Sequence, residues 1–169
     1  VWYVIWTDTN KEDQAVERLK RELPDSLCRD YWVPKRVERQ KHQQVWISVE
    51  KPLFPGYFFI EMDEPEKLRT YIQRIGIFQL PLRTGDTFVP LTEQEERRIL
   101  CLTDGKKKMG ISYGIKENGK FRILRGPLFG LEQYIKKVDL HKRSALLEME
   151  FFGRTQRIRG AIEFADEYE

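Results

Sequence analysis

The sequence predicts an α+β protein in two parts, an antiparallel sheet with packed helices followed by a small β-barrel. Three observations predict it. Aromatic, strand-like runs alternate with capped amphipathic segments through the first hundred residues. A polar stretch punctuated by glycines follows. Short β-prone runs then recur at regular intervals to the end.

Residues 1–7 open with Trp2, Tyr3, Val4, Ile5 and Trp6, a buried strand by composition. Thr9 and Glu12 have capping-box spacing. Ala15, Val16, Leu19 and Leu23 then mark one helical face, and Pro24 stops the helix. Tyr31, Trp32 and Val33 read as a second strand, ended by Pro34. Two β-prone flanks around a polar tip, residues 35–49, read as a long hairpin, although the tip lacks the Asn-Gly of a tight turn. Pro55 and Gly56 set a sharp entry into an aromatic strand, Tyr57 to Met62. Leu68, Tyr71, Ile72 and Ile75 fall at helical spacing. Phe88 and Val89 form a short strand, and Thr92 with Glu95 is a second capping box, opening a helix that carries Ile99, Leu100 and Leu102.

From residue 103 the character changes. Asp104-Gly105, three lysines at 106–108, Gly110, Gly114 and Asn118-Gly119 read as a linker over residues 104–118, between domains at 1–103 and 119–169. Strands are expected over residues 120–125, 133–139, 145–152 and 155–159, with a candidate fifth at 161–164. Leu146, Leu147, Met149, Phe151 and Phe152 are dense for clean alternation. The tail with Asp166, Glu167 and Glu169 reads as acidic and frayed.

The 169 residues are 40% hydrophobic, 34% charged and 12% aromatic. That composition can bury a core and argues against disorder. A formal charge of +3 cannot hold nucleic acid by bulk attraction, so any such binding must come from local basic patches. No apolar run approaches membrane-spanning length, and no membrane partner is expected. Two cysteines, Cys28 and Cys101, are too few for a disulfide framework and read as small packing residues. The chain starts at Val1 with no signal-like region, which reads as a trimmed, cytoplasmic protein.

Two motifs in order carry a resemblance. Leu53-Phe54-Pro55-Gly56-Tyr57 is similar to the hallmark of the NusG N-terminal domain. Residues 121–132, Phe-Arg-Ile-Leu-Arg-Gly-Pro-Leu-Phe-Gly-Leu-Glu, with Val138-Asp139 and Phe152-Gly153-Arg154, resemble a KOW domain of the SH3-like barrel type. Together they span nearly the whole chain and resemble the NusG family of transcription elongation factors. KOW motifs usually carry glycine after Leu-Glu, where this chain has Gln133. With a basic, amide-rich hairpin tip, that departure resembles a specialised paralog of the LoaP antiterminator type, which sequence separates poorly from the RfaH and UpxY types.

An enzyme is not expected. His42 and His141 stand far apart, and no zinc motif or P-loop occurs. No metal or cofactor is expected. Function then falls to surfaces. Tyr57 and Phe59 share a strand face with Trp6 near its edge; pattern alone reads all three as core. The resemblance implies instead that Trp6, Tyr57 and Phe59, with Phe54 and Pro55 shaping the edge, receive the clamp helices of the largest subunit of RNA polymerase. It also implies a second polymerase contact at Arg69, Thr70 and Tyr71, which otherwise read as helix surface and core.

Arg36, Arg39, Lys41 and His42 gather in the hairpin with Gln40, Gln43 and Gln44. Such a tip is ordinarily just solvated; the resemblance places it beside upstream DNA. In the C-terminal part Lys120, Arg122 and Arg125 cluster in one strand, with Lys136, Lys137, Lys142 and Arg143 further on and Arg154, Arg157 and Arg159 near the end. The resemblance implies RNA there, a nascent hairpin first, gripped through phosphates and shape. It also implies a protein contact at Phe152, with ribosomal protein S10 or Rho. The expected function is elongation and antitermination by a monomer bound to polymerase. A general factor coupled to S10 or Rho is the second reading, and a free-standing RNA-binding or ribosome-associated module the third.

Overall fold

The computed structural model describes residues 1–75, 88–105 and 108–165; the side chains of Ile72 and Ile75, Lys106 and Lys107 of the expected linker, and the acidic tail lie outside that part. The chain divides into two compact units, Val1–Val33 with Phe54–Glu96, and Pro34–Leu53 with Arg97–Glu169.

The first unit is built on β1 (Trp2–Trp6), β2 (Cys28–Trp32), β5 (Tyr57–Met62) and β6 (Val89–Pro90) in the order β2-β5-β1-β6. β5 pairs antiparallel with both β1 and β2. Alternation sends Ile5, Phe58, Ile60 and Met62 to the side of α1 (Glu12–Glu22) and α2 (Pro65–Ile75), where Ala15, Val16, Leu19 and Leu68 close the core. Pro65 opens α2, where its missing N–H costs nothing.

The expected capping box at Thr9 does not form. Lys11 occupies the N-cap with no side-chain cap. Glu12 is 1% exposed, and its Oε1 accepts N–H bonds from Asn10 (2.8 Å) and Gly56 (3.0 Å). The box before α3 (Glu93–Leu102) does form: Glu95 N donates to Thr92 Oγ1 at 3.1 Å and Thr92 N to Glu95 Oε1 at 3.2 Å. On α3, Ile99 and Leu102 are buried while Leu100 and Cys101 are exposed, so Cys101 is not the packing residue expected. Cys28 is buried, and burial pushes its thiol pKa up.

The second unit holds two sheets. β3 (Lys35–His42), β4 (Val45–Pro52) and β7 (Lys108–Met109) form one, in the order β4-β3-β7. The hairpin tip is a two-residue turn after all: Gln43 and Gln44 both take positive φ, 47° and 70°, where Asn-Gly is the usual choice.

The other sheet runs β10-β11-β12-β8-β9 and curls into the half-barrel that a KOW-like domain needs. Its strands are β8 (Ser112–Glu117), β9 (Lys120–Arg125), β10 (Ile135–Asp139), β11 (Ser144–Phe151) and β12 (Arg154–Phe164). β8 lies inside the span expected as linker, and Asn118-Gly119 turns it into β9 with φ of 51° and 77°. β12 merges the last two expected strands. β11 alternates cleanly: Ala145, Leu147, Met149 and Phe151 are buried, and Phe152 falls in the turn at φ 57°. Among the described residues no helix is long and apolar enough to cross a membrane.

Candidate functional site

In the first unit, Trp6 pairs with Tyr57 and Val4 with Phe59 across β1 and β5, and Trp32 with Phe59 across β2 and β5. Paired residues share a face, so Trp2, Trp6, Trp32, Tyr57 and Phe59 all lie on the side opposite α1 and α2. Trp32 stands 5.6 Å from Trp2 and 5.5 Å from Phe59, and Phe54 lies 6.3 Å from Phe59, centroid to centroid. Phe54 and Phe59 are fully buried and Trp6 and Tyr57 half-buried, while Pro55 is exposed. The expected aromatic set is thus brought together, with its inner members as core and its rim accessible. Trp2 and Trp32 were missed; the even, four-residue spacing of Trp2 and Trp6 places Trp2 on this face.

The loop before Tyr57 is held by two hydrogen bonds. Thr7 N donates to Gly56 O at 2.8 Å, and Gly56 N donates to the buried Glu12 carboxylate. Gly56 sits at φ +89°, and a Cβ there would lie 3.2 Å from Thr7 O and 3.4 Å from Trp6 Nε1. Only glycine fits comfortably. On α2, Arg69 lies 5.8 Å over the Phe88 ring and 3.9 Å from Glu66, Thr70 is exposed, and Tyr71 packs against the core.

In the second unit the basic residues fall into two groups. The first is held by carboxylates. Arg36 lies 3.1 Å from Glu38, which also accepts from Gln40 at 2.6 Å. Burial opposes the charge on Glu38, but these bonds, Gln40 foremost, hold its carboxyl below the ordinary range. Burial also lowers the Arg36 guanidinium pKa, with Arg159 adding repulsion. Arg39 Nε lies 3.2 Å and Arg143 Nη1 3.3 Å from the same Glu163 oxygen, and Arg143 stacks 4.2 Å over Trp46. Arg122 pairs with Glu117 at 3.5 Å and Arg157 with Glu148 at 3.8 Å.

The second group, Lys41, Lys120, Arg125, Lys136, Lys137, Lys142, Arg154 and Arg159, is exposed and has no ion pair among the described residues. His42 is exposed beside Gln40 at 3.4 Å. Phe152 is 7% exposed and packs 5.8 Å from Phe151, so it fills the end of the sheet.

Comparison with known proteins agrees with both halves. The family model described as "Transcription termination factor nusG" matches residues 1–100. Proteins named transcription termination/antitermination protein NusG are similar over nearly the whole length. That of Borreliella burgdorferi is 23% identical, covering 91% of this chain and 91% of its own. That of Rickettsia bellii is 26% identical over 93% and 84%, and that of Thermus thermophilus 24% over 90% and 90%. A solved structure on domain interaction in Thermotoga maritima NusG superposes with a TM-score of 0.56 at 19% identity, covering 95% of this chain and 92% of that one. At that identity it speaks to the fold.

Proposed function

Since the chain belongs to the NusG family by the match over residues 1–100, we propose that it is a transcription elongation and antitermination factor that binds RNA polymerase through its N-terminal aromatic face. No bond is made or broken; binding favours one conformation of the polymerase over another. The observation that carries this reading is the rim of Trp6, Pro55 and Tyr57, held by Gly56 and Glu12 above buried Phe54 and Phe59. An accessible aromatic rim over a packed floor suits the tip of a helical pair, and buried aromatic anchors dominate such contacts. Arg69, Thr70 and Tyr71 would supply the second polymerase contact. The exposed lysines and arginines of the second unit support a nascent RNA partner, as in LoaP-type antiterminators, with upstream DNA beside Lys41 and His42.

Tyr57→Ala should weaken binding to a clamp-helix fragment, and retention on core polymerase, by about tenfold or more with the melting temperature little changed. Phe59→Ala would be a poor probe, because truncating a fully buried phenylalanine costs about 3–5 kcal/mol of stability. Full affinity in a folded Tyr57→Ala variant would sink the assignment.

We propose the segment 104–118 as the functional boundary. Trypsin is expected to nick its first half, where lysines and glycines concentrate, because Ser112–Glu117 is a paired strand. Both fragments should keep their far-ultraviolet circular dichroism. Joint loss of structure after one cut would mean a single cooperative domain.

A further inference from the structure

The outer face of β8 and β9 carries a tyrosine that no polymerase or core role explains. Tyr113 is 38% exposed, and the Arg125 guanidinium lies 4.1 Å from its ring centroid. The pair depends on a bulge. The ladder runs from Glu117↔Lys120 to Gly114↔Ile123 and then jumps to Tyr113↔Arg125. Leu124 is the extra residue. Plain alternation would send Arg125 inward after Phe121 and Ile123; the bulge returns it to the outer face, onto Tyr113.

The backbone beneath is fixed. Gly126 lies so close to Ser112 that a Cβ would stand 2.6 Å from the Ser112 Cα, and Ser112 Oγ accepts from Leu128 N at 3.0 Å. Lys120 and Arg122 point outward along the same strand, about 7 Å apart at two residues' rise. Lysine and arginine on an edge strand serve to block edge-to-edge pairing. That accounts for Lys120 and Arg122. It does not account for an exposed ring, or for a bulge that lays an arginine over it. A cationic track ending at an aromatic platform is chemistry suited to single-stranded nucleic acid, phosphates on the cations and a base on the ring.

We propose that Tyr113, backed by Arg125, is a base-stacking site for single-stranded RNA, with Lys120 holding the flanking phosphate and Arg122 joining it by exchanging its exposed pair with Glu117. The proposal deepens the reading of the chain as a transcription factor by naming the part of the surface that meets the transcript. The probes are a fluorescent single-stranded oligoadenylate RNA and an abasic strand of equal length, with binding read by anisotropy at several salt concentrations. The parent protein should prefer the base-bearing strand by about tenfold, and Tyr113→Ala should abolish that preference. Its salt slope should stay unchanged, whereas Lys120→Gln should flatten the slope by about 0.7. Tyr113→Phe should behave as the parent.

The site is overturned if folded Tyr113→Ala binds oligoadenylate like the parent, or if the parent does not distinguish the two strands. Retention of Tyr113→Ala on core polymerase is measured alongside and should match the parent. Absence of polymerase binding by the parent would instead strike the wider reading, leaving the RNA result to stand or fall by itself.

Discussion

Gly126→Ala should strongly destabilise the C-terminal sheet. Gly126 holds φ +105°, and an added Cβ would lie 2.6 Å from Ser112 Cα and 2.9 Å from Ile111 O. Both nearest atoms are backbone, so no side chain can swing away. The left-handed angle alone costs about 1–2 kcal/mol in an L residue. Parting β8 from the loop adds a strain of the overpacking kind, about 1–3 kcal/mol. The sum is a large share of a marginal fold, roughly 5–15 kcal/mol in all. Gly130→Ala is the control, because Gly130 has φ +80° but nothing within 4 Å of the added Cβ. Urea melts should show a far greater loss for Gly126→Ala. Equal losses would mean that the backbone angle matters and the close approach to Ser112 does not.

Glu12→Ala should be the most damaging change in the first unit. It leaves the buried N–H of Gly56 without its acceptor, at about 1–3 kcal/mol, and frees the part-buried N–H of Asn10. Glu12→Gln should be much milder, because both bonds go to one oxygen, which an amide still offers. Folded Glu12→Ala should also lose polymerase affinity, since the loop that aims Tyr57 is released. If Gln and Ala variants melt alike, the carboxylate acts through its charge, and the tether assigned to it is wrong.

Glu12 also marks where local reading of a sequence fails. Thr9–Glu12 and Thr92–Glu95 have the same spacing, yet only the second forms a capping box. The amide that captures Glu12 lies 44 residues away, beyond any local pattern. Tryptophan and tyrosine spacing made the strands of the first sheet legible, and Tyr57 with Phe59 on one face. Strand β8 was hidden because its inward residues, Ser112 and Gly114, are small. A Cβ at Gly114 would stand 2.6 Å from Arg122 O, so close packing removed the hydrophobic signal that alternation needs. Tyr113 disappeared with that strand. The partners of Arg36 and Arg39 were of two kinds. Glu38 lies two residues from Arg36 and was readable, whereas Glu163 reaches Arg39 only through the fold.

The strand order of the two units sets a timetable for a chain leaving the ribosome. The first sheet has all its strands once Pro90 is made. The second cannot join β8 to β11 until β12 arrives, because β12 sits between them and its final residues pair with Ser112 to Gly114. At bacterial-type synthesis rates the interval is roughly 4–15 s. For roughly 2–8 s of it the hairpin of β8 and β9, complete at Arg125, waits with its inward face unfilled. Vectorial synthesis thus gives the first unit a head start, and leaves the later one with an open core until its last strand closes.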